Sequence, residues 1–365
     1  MKKSFGYIVM SLVILLGFSA PQAFAGNKDR SGQAGAAELL INPWAASSGW
    51  GNAGMSSIHG VEAMYGNVAG ITGINKFDLN FSHTWWLTGS KINLVSFGLL
   101  ARVGETTVIG VSLSSFNLGK IMITNENNPD GGIGTFEPKL MNINLALAKS
   151  FSNSISGGFN IKIISETIKD MSVTGIAIDA GIQYVTGPLD NVHFGITLKN
   201  IGPTLKFNGD GLSFKSFFQF GSNTQFTVNQ RTDEFELPTQ LNIAAAYDFH
   251  LATLSRLTLA GDFCSNSFTK DQFTLGLEYA WKEILLLRVG YTYEKGLFAK
   301  GNSGVGSAIY DSSETMNLNR GLSAGCSVQI PLTKDENGLK LCVDYSYRDT
   351  YTFKGTHSVG ARILF

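Results

Sequence analysis

The sequence has 365 residues, with 28 basic and 28 acidic side chains and a formal net charge of zero. No basic run or stripe appears, which argues against nucleic acid as a partner. Hydrophobic residues make up 44% of the chain, but no stretch approaches the ~18 continuous apolar residues of a transmembrane helix. Glycine (42) and phenylalanine (25) are frequent while proline (8) is rare, and this composition favours many short strands joined by turns.

The first 25 residues have the three parts of a secretory signal peptide. Lys2 and Lys3 give a basic start, residues 7–17 are apolar, and Ala23-Phe24-Ala25 supplies small residues before a cleavage site. We therefore expect residues 1–25 to be removed by cleavage before Gly26. The alternative is a retained N-terminal helix.

Apolar and polar residues alternate from Phe77 to the end of the chain. Phe77, Leu79 and Phe81, for example, interleave with Asp78 and Asn80. Period two with one apolar face is typical of half-buried strands. The pattern predicts fourteen strands, at residues 77–87, 91–103, 106–116, 139–150, 155–168, 173–186, 191–200, 238–249, 255–264, 271–282, 284–295, 319–331, 338–348 and 355–365.

The lengths of the predicted connections indicate a membrane barrel. The three long ones, residues 117–138, 201–237 and 296–318, are the third, seventh and eleventh links, whereas the even-numbered links are short. Bacterial outer-membrane barrels have an even strand number, short periplasmic turns and long extracellular loops. The predicted fold class is therefore all-β, a 14-stranded antiparallel transmembrane β-barrel over residues 77–365 in the cell outer membrane. The terminal aromatic, Phe365, resembles the assembly signal of such barrels.

Residues 26–76 precede the first predicted strand and are rich in Gly, Ala, Ser and Asn. Small residues permit close packing, and Trp44 and Trp50 are large enough to fix the segment against a wall. We predict that this N-terminal segment plugs the lumen of the barrel. The alternative is a disordered periplasmic tail.

Several short motifs resemble the PorV/PorQ family, which is related to FadL-type transporters. Residues 38–72 are similar to the family's N-terminal block, in which Asn67-Val68-Ala69-Gly70 keeps three residues of an Asn-Pro-Ala-Gly motif. The segment at 194–203 resembles a strand of the family that ends in Asn-Leu-Gly-Pro. The segment at 275–293 resembles the family's Gly-x-Glu-Tyr hairpin, and residues 344–365 resemble its last two strands. Val68 in place of proline departs from the motif.

The resemblance implies a 14-stranded barrel whose N-terminal segment, including Asn67 and Gly70, is folded into the lumen. PorV-like proteins belong to the type IX secretion system, where they associate with a giant translocon barrel and receive cargo through its C-terminal domain. The implied function is a non-enzymatic outer-membrane subunit of protein secretion that docks its partners through extracellular loops. The alternative is a FadL-like channel for hydrophobic small molecules, with a possible hydrophobic ligand as its partner.

Ionisable residues fall on the face of the strands that is predicted to point inward. A charge on the lipid face would cost roughly 2–4 kcal/mol near the bilayer midplane, so we expect these residues to line the lumen and to form ion pairs there. Glu278 and Arg288, on adjacent strands, are one predicted pair. The charges are expected to hold plug and wall together, with ligand binding as the alternative, and no continuous apolar tunnel is apparent. The main lumen charges are Asp179, Lys199, Glu278, Arg288, Asp344 and Arg362.

The connection at 201–237 contains an unusual number of phenylalanines. Exposed to water, they would favour aggregation, so the connection is expected either to fold over the barrel mouth or to dock on a partner. The predicted partner loop comprises Phe214, Phe217, Phe218 and Phe220.

No catalytic or metal-binding constellation is found in the sequence. The five histidines are scattered without metal-ligand spacing, so we expect neither an enzyme, nor a metal, nor a cofactor. The alternation places Cys326 and Cys342 on opposite faces of adjacent strands and leaves Cys264 without a mate. All three cysteines are therefore predicted to be free thiols.

Overall fold

The computed structural model describes residues 30–217, 225–252, 254–294, 317–333, 338–350 and 353–365. The predicted signal peptide, Phe218 and Phe220 of the predicted partner loop, and most of the connection at 296–318 lie outside these residues.

Fourteen strands form one closed antiparallel barrel in which each strand pairs with the next and β14 pairs with β1. The predicted fold class is therefore confirmed. The strands are β1 Phe77–Trp86, β2 Ile92–Arg102, β3 Thr107–Asn117, β4 Lys139–Ser150, β5 Ile155–Ile168, β6 Met171–Thr186, β7 Val192–Ile201, β8 Gln240–Ala252, β9 Ser255–Asn266, β10 Gln272–Trp281, β11 Leu285–Glu294, β12 Asn319–Pro331, β13 Lys340–Thr350 and β14 Thr356–Leu364.

Side chains alternate between the two faces of the barrel wall along most of each strand. In β6, Ile176, Ile178 and Ile182 are exposed, whereas Ala177 and Asp179 between them are buried. The exposed face is apolar and the buried face is largely polar, which is the reverse of a water-soluble protein. Such a surface requires a hydrocarbon environment.

Most predicted strand ends differ from the structure by one to three residues, and two of these differences have an identifiable reason. β8 begins at Gln240 rather than at residue 238, because Pro238 has no N–H to donate to the ladder. β6 begins at Met171 rather than at residue 173. A tight hairpin pairs Ile168 with Met171, and Lys169 in the turn has a φ of 52°.

Because consecutive strands are antiparallel, all odd-numbered links leave the barrel at one rim, called here the outer rim. The third and seventh links each carry a small hairpin of their own. Ile121–Met122 pairs with Thr135–Phe136, and Ser213–Phe217 pairs with Gln225–Asn229.

The helices among the described residues are all short, and none is long and apolar enough to cross a membrane. One is α-helical, Ala45–Ser48, and the others are 3₁₀ turns at Ala37–Leu40, Val61–Met64, Val68–Gly73 and Asp210–Leu212. Four of the five lie within residues 37–74, the N-terminal segment discussed below.

The N-terminal segment packs against the inward face of the wall. A Cβ on Gly98 of β2 would lie 2.3 Å from Val61, and one on Gly290 of β11 would lie 2.3 Å from the Trp50 carbonyl oxygen. Wall glycines therefore permit close approach of the segment from both sides. That the segment closes the lumen to solutes stays a prediction.

The three cysteines are free thiols, as predicted. Cys326 is paired in register with Tyr345, and Cys342 with Gln329. Residues paired in register share a face, so Cys342 lies on the same face as Gln329. Gln329 is three residues after Cys326 on β12, and an odd separation along a strand places two residues on opposite faces. The two sulfur atoms therefore lie on opposite sides of the wall.

The lipid-facing surface predicts a depth-dependent cost for a buried charge. Leu277 lies in the middle of the outward row of β10, whereas Leu251 lies at the end of β8 opposite the outer rim. Leu277→Arg is expected to lower the free energy of unfolding in phospholipid vesicles by about 2–4 kcal/mol, and the control Leu251→Arg by about 0–1 kcal/mol. Equal costs for the two variants would contradict the assignment of the outward face to lipid.

Candidate functional site: a cavity in the outer half of the lumen

Asn67 and Gly70 fix the turn by which the N-terminal segment meets the wall. The Asn67 side chain accepts a hydrogen bond from the Ala69 N–H (3.2 Å) and donates one to the Ile182 carbonyl of β6 (3.0 Å). A Cβ on Gly70 would lie 2.0 Å from the Ile58 carbonyl oxygen, so only glycine fits there. The two residues of the sequence motif therefore serve packing and hydrogen bonding.

Trp44 and Trp50 are both buried between the segment and the wall. Trp44, 1% exposed, belongs to an apolar cluster with Val61 of the segment and Leu100 of β2. Trp50 packs in a second cluster with small wall residues, including Ala246 of β8. The two indoles thus contact different sides of the barrel.

The predicted lumen charges lie on the inward face, and most of them form ion pairs. The predicted pair is present: Arg288 Nε lies 2.6 Å from Glu278 Oε2. Arg362 Nε lies 2.8 Å from Asp344 Oδ2, and Ser327 links the two pairs through hydrogen bonds to Arg288 and Asp344. The network joins β10 to β14 across four strand interfaces.

On the opposite wall, Asp179 is the centre of a second network. Lys162 Nζ lies 2.7 Å from Asp179 Oδ2, and the Asn200 N–H donates to Asp179 Oδ1 at 2.8 Å. The register between β6 and β7 shifts at this point, and Asn200 has a φ of 59°. Lys199 beside it has no carboxylate within ion-pair distance among the described residues.

Sequence reasoning missed Arg256, which forms ion pairs with two acidic residues of the lumen and with one in the link between β10 and β11. Its guanidinium lies 3.0 Å from Glu278, 3.0 Å from Glu283 and 3.6 Å from Asp248. Arg256 is two residues before Thr258 on β9 and shares the inward face with Asp262. The alternation rule, extended to the first residues of β9, would have identified it.

A cavity of about 450 Å³ lies in the lumen near the outer rim. Its walls come from the outer ends of β1 to β4, β7 to β10, β12 and β13, and its floor comes from the N-terminal segment. The apolar lining includes Leu40, Ile41, Met55, Leu87, Phe116, Leu118 and Leu140.

Polar groups line one part of the same cavity. They include Lys199, Gln240, Asn242, Asp262 and Arg348. Asn242 donates to Asp262 Oδ2 at 2.9 Å. The cavity therefore combines an extensive apolar wall with a few charged groups, which is the usual composition of a small-molecule site.

The half of the lumen away from the outer rim has a different character. A cavity of about 250 Å³ there is lined by charged and polar groups, among them His59, Glu62, His193, Asp248 and Arg256. His193 Nε2 lies 3.1 Å from Asp248 Oδ2. The lumen is thus apolar towards the outer rim and charged towards the opposite end, with the N-terminal segment contributing to both cavities.

No apolar tunnel was apparent from the sequence, and the structure explains why the apolar cavity could not be recognised there. The outer cavity combines side chains from strand ends that are distant in sequence, such as Leu87 and Leu140, with Leu40 and Met55 of the N-terminal segment. Alternation identifies which face of a strand a residue occupies. It does not show which inward residues from separate strands share a cavity.

Glu38 lies on the floor of the outer cavity and is only 6% exposed. Burial, together with the negative charge of Glu166 of β5, raises its pKa from 4.5 to about 8. The raised pKa favours the protonated form of this carboxyl.

The predicted partner loop is only partly described. Phe214 and Phe217 lie on the outer hairpin and are 52% and 60% exposed. The rings of Phe207 and Phe235 of the same connection instead lie with their centroids 5.8 Å apart, and both pack with Leu205. One part of the connection therefore covers the barrel wall, and the hairpin presents its phenylalanines to the surroundings.

The described residues contain no group of three His, Cys, Asp or Glu side chains that could hold a metal ion. Phe365 ends the chain beside β1, where its N–H donates to the Phe77 carbonyl at 2.9 Å. Its assigned role as an assembly signal stays a prediction.

A closed barrel with an apolar outside and a charged, filled inside defines a bacterial outer-membrane β-barrel. Among solved structures, the chain is similar to the Pseudomonas putida toluene transporter TodX, with a TM-score of 0.52, 12% identity, and coverage of 88% of this chain and 97% of that one. A Pseudomonas aeruginosa FadL homologue matches with a TM-score of 0.47 and 10% identity over 87% and 96% of the chains. No protein-family model and no curated protein sequence matches. The likeness to TodX shows the fold.

The pKa of Glu38 predicts how stability depends on pH. The folded state binds the Glu38 proton more tightly than the unfolded state, so the free energy of unfolding should fall as the pH rises from 4.5 to about 8. Glu38→Gln removes this component, because the amide stays neutral. The measurement is urea unfolding in lipid vesicles at several pH values, with the exposed Glu126→Gln as control. Identical pH profiles for wild type and Glu38→Gln would contradict the assignment.

Proposed function

We propose that the protein is a channel for the uptake of hydrophobic small molecules across the outer membrane. The observation that carries this proposal is the apolar cavity of about 450 Å³ in the outer half of the lumen. Its size is within the range of about 300–1,000 Å³ that is usual for small-molecule pockets. The TodX-like fold is consistent with it, since TodX is a toluene transporter.

The filling of the lumen supports selective uptake rather than free diffusion through a water-filled pore. Residues of the N-terminal segment such as Trp44, Val61 and Ile71 are almost completely buried. A solute that enters from the outer rim would therefore meet the floor of the cavity. It would bind there before the N-terminal segment or the wall moves to let it pass.

The proposed role requires no bond to be made or broken. The protein would act non-enzymatically, by binding the solute on one side of the N-terminal segment and releasing it on the other. The change from an apolar to a charged cavity along the lumen favours release, because an apolar solute loses affinity as its surroundings become polar.

A second candidate function is the role in type IX secretion that the PorV/PorQ resemblance implies. No comparison supports this role. No comparison supports a giant translocon barrel or cargo C-terminal domains as partners of the protein either. The single observation in its favour is the exposure of Phe214 and Phe217 on the outer hairpin. A mild-detergent pull-down from native outer membranes tests this role. Recovery of a giant barrel with the protein would support secretion. If the double variant Phe214→Ser/Phe217→Ser no longer recovers the giant barrel, this hairpin is the surface on which the barrel docks.

Uptake through the cavity predicts that added bulk in the cavity slows transport. Leu140 lines the cavity, whereas Leu147 on the same strand points outward. Leu140→Trp should slow the uptake of radiolabelled butylbenzene by intact cells by roughly tenfold, equivalent to about 1.4 kcal/mol. Leu147→Trp, at the same surface expression, should leave it unchanged. Equal uptake by both variants and the wild type would exclude this cavity as the route.

A further inference from the structure

A groove of about 390 Å³ lies on the outward side of the barrel, where the β1–β2 and β13–β14 links meet at the outer rim. The two links are joined by hydrogen bonds. The Thr88 N–H donates to the Gly355 carbonyl at 2.8 Å, and the Leu87 N–H donates to Thr356 Oγ1 at 3.2 Å. We call this feature the rim groove, and its side chains include Trp85, Lys91, Asn93, Tyr345 and His357.

The rim groove lies where the outward surface changes from apolar to polar. Outward residues of four adjoining strands pair in register beside it, in the order Tyr347, His357, Trp85 and Asn93. Four residues further into the membrane, the corresponding row is Val343, Ala361, Phe81 and Phe97. The groove is therefore at the depth of lipid headgroups, where aromatic girdles occur, and acyl chains would lie directly beneath it.

The charge of the rim groove is positive. Lys91 is exposed in its lining, and none of the described residues that line the groove is acidic. Lys354 is exposed in the adjoining β13–β14 link. Asp349, nearer to the rim on β13, lies outside the lining, with one carboxylate oxygen 3.5 Å from the Tyr347 hydroxyl. Charge complementarity therefore favours an anionic headgroup.

His357 adds a hydrogen-bond donor to the rim groove. Its Nδ1 lies 2.8 Å from the Tyr345 hydroxyl, and the Tyr347 ring lies 5.1 Å from the imidazole on its other side. When the Tyr345 hydroxyl donates to Nδ1, the proton of the neutral imidazole is on Nε2. Protonation of the ring keeps that Nε2–H, so His357 offers a donor to an anion in both states.

Trp85 supplies an apolar surface beside these polar groups. Its side chain is 44% exposed, and its ring meets the His83 ring edge-to-face with centroids 4.6 Å apart. This contact favours one orientation of the indole. An exposed indole beside donors and a cation suits a sugar ring, whose C–H groups pack on an aromatic surface while its hydroxyl and phosphate groups reach the polar side.

We propose that the rim groove binds the headgroup of a phosphorylated glycolipid of the outer leaflet, with a phosphate at Lys91 and the sugar ring against Trp85. Lysine binds phosphate as a point charge. A simple anionic phospholipid has the phosphate but no ring for Trp85, and a free sugar phosphate has no chains to cover the row that contains Phe81 and Phe97. The site is on the outer surface, and it does not depend on solute uptake through the lumen.

The test measures the binding of lipid A, a bisphosphorylated diglucosamine lipid, to the purified full-length protein by native mass spectrometry. The wild type should bind lipid A more tightly than either its dephosphorylated form or phosphatidylglycerol. Lys91→Gln should weaken the binding of lipid A by about fivefold, the order expected for one lysine beside anionic lipid, and should not affect the dephosphorylated form. Trp85→Ala should weaken both forms of lipid A and leave phosphatidylglycerol unchanged.

Two matched controls lie at the outer rim but outside the rim groove. Lys169→Gln changes an exposed lysine of the β5–β6 link, whose φ of 52° resembles the 64° of Lys91. Phe273→Ala removes an exposed aromatic ring at the outer end of β10. Neither should alter the binding of lipid A.

Folding of each variant is checked by heat-modifiable electrophoretic mobility. If Lys91→Gln does not fold, Lys354→Gln replaces it and should weaken lipid A in the same direction. Absence of lipid A binding, equal binding of phosphatidylglycerol, or equal losses in the groove variants and the controls would each overturn the proposal.

Discussion

The structure depends on the need to pair every backbone N–H and C=O group of the membrane-spanning strands. Hydrocarbon offers no water as an alternative partner, so a sheet that crosses a membrane must close on itself. Closure is made here between β1 and β14, which pair from Asp78 with Leu364 to Trp85 with His357. With both termini of the barrel in one sheet, no strand edge is left facing lipid.

Closure determines where the polar side chains go. Because successive residues point to opposite faces, an apolar outside leaves the polar half of each strand in the lumen. Ion pairs such as Glu278–Arg288 and Lys162–Asp179 satisfy most of the charges there. The N-terminal segment fills much of the remaining space, since wall glycines such as Gly98 and Gly290 allow it to approach closely.

The proposed function follows from the places where this filling is incomplete. Near the outer rim, the strand ends and the N-terminal segment enclose a largely apolar cavity. Towards the other end, the cavity lining is charged, and Arg256, Arg288 and Arg362 there form ion pairs. In the proposed function, this difference would give transport a direction, from a site that binds an apolar solute to one that releases it.

Much of the fold could be predicted from the sequence, because strand alternation is a local property. All fourteen strands, the inward position of Asp179 or Asp344, and the Glu278–Arg288 pair were accessible in this way. Some strand boundaries differ from the prediction because of local chemistry. At Pro238, for example, the strand starts later than expected.

The candidate site could not be predicted to the same extent. Leu40, Tyr65, Leu140 and Arg348 lie far apart in sequence, and only the curvature of the wall brings them to one cavity. Nothing in the alternation pattern distinguishes Arg348, which has no ion-pair partner among the described residues, from Arg362, which pairs with Asp344. The resemblance to PorV/PorQ indicated the barrel correctly, but short motifs that serve packing, such as Asn67 and Gly70, carry no information about the solute.

The most direct measurement is a crystal structure of the protein grown with a bromine-labelled alkylbenzene, in which anomalous scattering locates the bromine. We expect the signal inside the outer cavity, between Phe116 and Leu140. Signal confined to the outward face of the barrel, with none in the cavity, would contradict the claim that this lumen binds hydrophobic solutes.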